Sequence, residues 1–386
     1  MKTLRWSWPF LLVGLVFLLP WGFWIARPER TLDIVVVDKT VPYENRIEHR
    51  SLFWLLRHLK IRRPEGGRYV TDRDYLGAFP GPKPGDPPEH TTELTSARAV
   101  RADLVYLADT YGVYHDDLLS GEPMKAALER SPRIYGGCEP AEAEAAAAAV
   151  RAGKTLIAEF NTLGSPTGGE ARATLEAALG VHWTRWIGRF FAHLDDASEV
   201  PQWMRRDYER EWKKPWEFTG PGYVLMQDDA HCEVLQTNLQ VEPIGLTLHK
   251  EDAAGALLAD ARNEISYPYW FDIVGVEKDT TMLATFRWHT LPAGYVRLQA
   301  RGLPVTFAAV TRRTAPGLGP AYYFAGDFAD NPLRDTPIPL AGYPALRNWL
   351  EGTKLYPSED SFYWCFYAPM MTTLLEGVPS TVKGRP

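Results

Sequence analysis

From Trp6 to Ala26 the chain reads WSWPFLLVGLVFLLPWGFWIA, twenty-one residues without one charged side chain. A helix of that length rises about 30 Å, the thickness of a bilayer's hydrocarbon core. The run therefore predicts one transmembrane helix ahead of everything else. Trp6, Trp8, Trp21 and Trp24 lie near its two ends, where amphipathic rings favour the membrane interface. Pro20 is a kink that lipid-spanning helices tolerate. The rival reading is a cleaved leader, since Lys2 and Arg5 make a basic start. The run is long and bulky, however, and ends in FWIA without a small-x-small cleavage site. The reading taken is a retained signal-anchor at 6–26 behind a cytoplasmic tail at 1–5. Lys2 and Arg5 before the span nearly balance Arg27 and Arg30 after it. An extracytoplasmic C-terminal domain thus rests mainly on the shortness of the N-terminal tail.

Beyond the apolar run the chain has the composition of a water-soluble domain. Of 386 residues, 45% are hydrophobic and 23% charged, with a formal net charge of −6. No dense Lys/Arg tract is present, which argues against nucleic acid, whose binding needs a cationic face to displace counterions. Cys138, Cys232 and Cys365 are too widely spaced for a zinc pattern or a disulfide framework. In an extracytoplasmic domain one pair could still form, and spacing does not choose which. The nine histidines show no H-x₃-H or H-E-x-x-H spacing, so neither a metal nor a cofactor is expected. Fourteen Trp, 18 Tyr and 16 Phe suit core packing first and sugar-binding platforms second.

After the short polar link RPER, LDIVVVDKT predicts a buried parallel strand. EHRSLFWLLRHLKI (48–61) comes next as an amphipathic helix. Residues 64–88 read as a long loop with one short strand. ADLVYLADTYGVY, RIYGG and GKTLIAEFNT predict three more strands. Helices are expected at EPAEAEAAAAAV (139–150) and at GEARATLEAALG (169–180), the latter closed by glycine. This alternation over 32–180 predicts an α/β fold with a doubly wound, mostly parallel sheet. From 181 to 302 a Trp/Arg-rich tract leads into the strand-like runs GYVLMQ, CEVLQ, IGLTLH, TMLATFRWH and YVRLQARG. They predict an antiparallel β-rich elaboration or subdomain. Residues 303–386 supply a hairpin returning to the main sheet and a packed helix at SFYWCFYAPMMTTLLEG, where Pro369 argues against a second span.

The order of elements over 32–180, with LPVTFAAVTRR and YYFAGDF, resembles the class I glutamine amidotransferase-like superfamily. IYGGCEPAE is similar to that family's Gly-Gly loop leading into a helix. GKTLIAEFNT falls where the family has the strand and sharp turn carrying its cysteine nucleophile. Here the elbow position is Glu159, in A-E-F rather than G-C-x-G, and no late His-x-Glu pair is found. The resemblance implies a related fold without amidotransferase chemistry.

In open parallel sheets ligands bind beyond the carboxyl ends of the strands. Those ends carry Asp38 and Lys39, then Asp109, Thr110 and Tyr111, then Glu159, Asn161 and Thr162, while His49 and Arg50 open the following helix. Glu159, Asp109 and Asp38 are the catalytic candidates, as carboxylates whose environments could separate their pKa values. Lys39, His49, Arg50, Tyr111 and Asn161 are candidate ligand-binding residues, as are Trp203, Trp212 and Trp216 in the Trp/Arg tract. The bland reading makes the acids helix caps or solvated loop residues. Cys138 precedes a helix start, where a dipole favours thiolate, yet no base stands beside it. GSPTGG (164–169) lacks the Lys-Ser/Thr of a phosphate-binding loop. The Trp/Arg tract itself suits a glycan platform, a surface near anionic lipid, or a lid. The leading expectation is a membrane-anchored, non-catalytic binding or assembly component of the cell envelope. Its partners would be the bilayer through 6–26 and an envelope polysaccharide or membrane protein. The alternatives are a hydrolase of a glycan or amide, and a purely structural role.

Overall fold

A computed structural model describes residues 8–41, 45–83, 85–120, 131–228, 231–331, 333, 338–354 and 359–380. Its largest element is a ten-stranded sheet. Five strands run parallel through its centre, in the order Ala321–Phe324, Thr155–Ala158, Leu104–Asp109, Ile34–Asp38, Leu76–Phe79. The three that are read from β-branched runs are buried along their whole length, as strands covered on both faces must be. Antiparallel strands extend both flanks: His90–Thr91 on one side, and Thr306–Arg313, Thr280–Thr290, Val241–Lys250 and Glu264–Ser266 on the other. The chain is α/β as expected, and its large sheet is mixed, a parallel centre carrying antiparallel extensions.

Helices flank it in two groups. Ile47–His58 packs against the C-terminal helical segment Glu359–Gly377, with Trp54 edge-on to Trp364 at 5.1 Å. The alanine-rich helix Pro140–Arg151 packs against Ser96–Arg101 and Gly169–Leu179. Small side chains let these helices approach closely, and Gly180 ends the last of them at φ 69°.

Four strands, Cys232–Gln236, Gly222–Gln227, Val181–Phe191 and Phe271–Val276, form a separate antiparallel sheet. The Trp/Arg tract is thus a long strand followed by the helix Gln202–Trp212. Two expectations are corrected. YVRLQARG contributes to the helix Pro292–Ala300, not a strand, because Pro292 sits in the first turn with a φ suited to it. Arg133–Tyr135 pairs with Val113–Tyr114 in a two-stranded ribbon instead of joining the main sheet.

At the N-terminus a helix runs from Trp8 to Ala26 and contains Pro20. Among the described residues no helix is long and apolar enough to cross a membrane. The expected transmembrane helix at 6–26 is therefore not shown: residues 1–7, and the side chains at 8–13, 16 and 17, lie outside the described ones. The carboxyl end of this helix is tied to the domain. The Trp24 indole N–H donates to the His58 carbonyl at 3.0 Å, and Lys60 Nζ donates to the Ile25 carbonyl at 2.7 Å. Ala341 N–H donates to the Pro20 carbonyl at 2.9 Å, and Arg27 pairs with Glu376 at 2.6 Å. RPER is no loose link, since Arg30–Thr31 pairs with Ile61–Arg62.

Candidate functional site

The carboxyl ends of the central strands hold their polar residues inside the protein. Asp38 is fully buried. Its Oδ2 lies 2.5 Å from His49 Nδ1, and its Oδ1 accepts from the Thr40 N–H at 3.0 Å. His49 Nε2 lies 2.9 Å from the Thr71 carbonyl, so both ring nitrogens are engaged. Asp109 Oδ1 accepts from Thr40 Oγ1 at 2.9 Å and from the Tyr111 N–H at 2.6 Å. One threonine thus bridges two carboxylates on adjacent strands.

Glu159 follows the strand Thr155–Ala158 and is 1% exposed. Tyr106 donates to its Oε1, while the Phe328 and Ala329 N–H groups donate to its Oε2 at 3.1 and 3.0 Å. Glu159 is thus a carboxyl that fastens the loop after Ala321–Phe324. Lys39 points the other way, into a buried ion pair with Glu142 Oε2 at 2.7 Å and over the Tyr135 ring.

Burial dominates the titration of this region. It pushes Asp109 up to about 7, against opposing hydrogen bonds and with help from Asp38. It pushes Glu159 up to about 8. Glu48 and Asp327 are driven well above the usual carboxylate range, first by desolvation and then by Asp330 and their other acidic neighbours. The Cys138 thiol is also pushed up, to about 12, by burial and then by Glu142. It therefore has no thiolate near neutrality, whatever the helix dipole offers. Cys138, Cys232 and Cys365 are all buried free thiols.

The open space lies beside this cluster, between the main sheet and the smaller one. It is a cavity of about 230 Å³. Tyr111, Phe160 and Asn161 line it from the main sheet's loops, Trp183 and Ile187 from the long strand, and Trp203 from the tract's helix. Trp270 stacks on Phe160 at 6.0 Å and 13° between planes. Trp183 is held by its indole N–H, which donates to Asp272 Oδ1 at 3.1 Å, and by Arg172 over its ring at 4.6 Å. Polar groups at the rim include Asn161, Ser165, Gln227 and the Arg185–Asp228 pair at 3.5 Å.

Two of the lining residues adopt left-handed backbone that only glycine takes freely, Asn161 at φ 64° and Arg185 at φ 71°. Arg185 lies in a bulge between Trp183 and Trp186, the kind of irregularity that re-aims side chains next to binding sites. Strained backbone of this sort persists where surrounding structure holds it, and it clusters at ligand sites.

Of the candidate residues, Tyr111, Asn161 and Trp203 line the cavity. Asp38, Asp109, Glu159, Lys39 and His49 are buried apart from its lining, and Arg50 is half-buried. Trp212 and Trp216 are engaged in packing: their indole N–H groups donate to the Cys232 and Leu194 carbonyls, both at 2.8 Å, and Arg301 and Arg205 cover their rings. Phe160, Trp183, Arg185, Asp228 and Trp270 are lining residues that sequence reasoning did not single out. The A-E-F-N turn and the W-T-R-W tract were visible signals, but nothing local shows that they meet.

No protein-family model matches the chain, and no characterised protein matches it in sequence. In structure it is similar to a ThuA-like protein from Bacteroides uniformis, at 8% identity and a TM-score of 0.36, covering 86% of this chain and 96% of that one. ThuA-like proteins have the class I glutamine amidotransferase-like fold. It is also similar to a cytoplasmic protein from Salmonella typhimurium, at 10% identity and a TM-score of 0.37, covering 90% and 99%. A third likeness, at 13% identity and a TM-score of 0.34, is to a β-galactosidase from Rahnella sp. R3, of which the chain spans about a third (32%).

Proposed function

We propose that this chain is a membrane-tethered binding component of the cell envelope, whose aromatic cavity holds a sugar ring of a polysaccharide. The cavity carries the reading. Its stacked Phe160–Trp270 pair and Trp183 offer flat apolar faces, and Asn161, Gln227, Asp228 and Arg185 place planar polar groups around them. Sugars present both kinds of surface, and such sites combine apolar walls with a few placed polar groups. At about 230 Å³ the space falls below the ~300–1,000 Å³ of drug-sized pockets, which favours one ring over a long segment.

The tether rests on the N-terminal helix. Leu15, Leu18, Leu19, Phe23 and Ile25 are 48–67% exposed on it, a row of apolar side chains whose transfer from water to lipid is favourable. The sheet would be an amidotransferase-like one in which Glu159 has replaced the nucleophile by a structural carboxyl.

The test is a glycan-binding screen on the full chain in detergent, read by tryptophan fluorescence. Saturable binding to one polysaccharide class, lost in Trp270→Ala, is the expected result. Binding by no glycan, or binding indifferent to Trp270, would sink the sugar reading. A reporter fused after Pro386 should be active outside the cytoplasm, and activity only inside would overturn the orientation. One observation favours hydrolysis instead: Asp109, held at about 7, also hydrogen-bonds the cavity residue Asn161. If any bound glycan or amide is turned over, and Asp109→Asn abolishes turnover while sparing binding, the enzyme reading replaces the binding one.

A further inference from the structure

A second cluster of polar side chains lies away from the cavity, on the antiparallel flank of the large sheet. His249 and Glu264 are cross-strand neighbours in the pairing of Val241–Lys250 with Glu264–Ser266. His249 also stands opposite Thr285 on Thr280–Thr290, and His289 lies four residues further along that strand. Side chains two and four residues apart share a face of a strand. Thr247, His249, Glu264 and His289 therefore project from one face across three strands.

Their ligand atoms converge. His249 Nε2 and His289 Nε2 lie 3.1 and 3.3 Å from the same oxygen, Glu264 Oε1. The same two nitrogens lie 2.9 and 2.8 Å from Thr247 Oγ1. The one-ligand-atom set of His249, Glu264 and His289 falls within 4.8 Å of one another. Ligands held 2.0–2.1 Å from a tetrahedral ion are separated by roughly 3.3 Å, which is the spacing found between each imidazole nitrogen and the carboxylate oxygen. The nearby cation Arg287 is directed to Glu251 Oε1 at 2.8 Å. The Thr247 hydroxyl carries a single proton, so it cannot donate to both rings.

We propose that His249, Glu264 and His289 form a zinc-binding site, with water or the Thr247 hydroxyl in the fourth position. Two imidazoles and one carboxylate are a ligand set that zinc accepts. The half-exposed Glu264 carboxylate leaves the site open to solvent ions, whereas Thr247 closes its inner side. Zinc there would staple the three-residue edge strand Glu264–Ser266 to the two strands beside it. The spacing of the ligands along the chain matches no metal motif because their proximity comes from strand pairing.

The test uses the full, tag-free chain in detergent, stripped with EDTA and titrated calorimetrically with zinc chloride. One zinc per chain should bind with a Kd below ~10 μM. His289→Ala should weaken binding by more than about 100-fold, beyond the 10–100-fold loss typical of outer-sphere partners. His249→Ala/His289→Ala should abolish it, with circular dichroism reporting that the variants remain folded. Cobalt substitution should give the visible absorption of a four-coordinate ion. Absence of zinc binding at 1 mM (about a hundred times that expected Kd) would overturn the site, as would stoichiometric binding that survives the double substitution.

Discussion

Asp272 offers a pH test of how the cavity wall is held. Its carboxyl is fully buried, accepting from the Trp183 indole N–H at 3.1 Å and from the Tyr323 hydroxyl. Burial pushes it from 3.8 up to about 7, against both hydrogen bonds. A carboxyl raised on folding contributes stability that is complete below its unfolded pKa and is lost as pH rises through the folded one. Between pH 5 and pH 7 the folded protein keeps this proton while the unfolded chain has lost it, and above pH 7 the advantage is gone. Two pH units at ~1.36 kcal/mol each make the loss roughly 3 kcal/mol between pH 5 and pH 9. Asp272→Asn removes the titration and keeps the shape, since its amide oxygen can accept from Trp183 and its N–H₂ can donate to the Tyr323 hydroxyl oxygen, as the protonated carboxyl can. The variant should therefore gain roughly 3 kcal/mol of stability relative to the wild type between pH 5 and pH 9. Unfolding midpoints of the full chain in detergent, followed by tryptophan fluorescence at both pH values, give the comparison. Asp109 and Glu159 titrate in both proteins and cancel. A stability gap that moves by less than ~0.5 kcal/mol across that range would refute a protonated, buried Asp272.

Two further outcomes arise from the same packing. Lys39→Met should cost about 3–5 kcal/mol by leaving the Glu142 carboxylate buried without its cation, and Glu142→Gln in addition should recover much of it, since the neutral amide oxygen can still accept from a backbone N–H that Glu142 now holds; unfolding midpoints of the single and double variants would show this, and an unaffected single variant would return Lys39 to the candidate ligand residues. Gly77→Ala would place a Cβ 1.6 Å from the Asp38 carbonyl oxygen at φ 151°, so it should force apart the parallel pair Ile34–Asp38 and Leu76–Phe79 and lower the yield of folded protein, by ~3 kcal/mol or more of stability, while a wild-type melting curve would contradict the close approach.

How far the sequence disclosed the molecule depended on the range of the forces involved. The strands Ile34–Asp38, Leu104–Asp109 and Thr155–Ala158 were legible because burial on both faces demands unbroken apolar runs. The helix ending at Gly180 was legible because its stop signal is local. Which strands share a sheet was not legible: Val241–Lys250, Glu264–Ser266 and Thr280–Thr290 extend the main sheet, whereas Val181–Phe191, Gly222–Gln227, Cys232–Gln236 and Phe271–Val276 build another, and both sets alternate alike. The cavity shows the same limit. Tyr111, Asn161 and Trp203 were identified as polar or aromatic loop and tract residues, but Trp270 and Asp228 enter only through tertiary folding. Glu159 was noted for its position at the elbow, and its partners Phe328 and Ala329, 169 and 170 residues away, gave no local sign. Histidines 249 and 289 were passed over for the same reason.

The junction at Pro20–Arg30 bears on what a tethered domain can reach. A cavity hung from a flexible leader would sweep a hemisphere and trade local concentration for range. Here the last turns of the helix are clamped by Lys60, the His58 carbonyl, Ala341 and Glu376, so the domain is mounted as on a bracket. On the anchored reading it would scan its surroundings by drifting sideways in the bilayer, with the cavity mouth at one fixed height and tilt. A ligand would be met only if it passes through that plane, and geometry would then select among envelope polymers before any hydrogen bond is made.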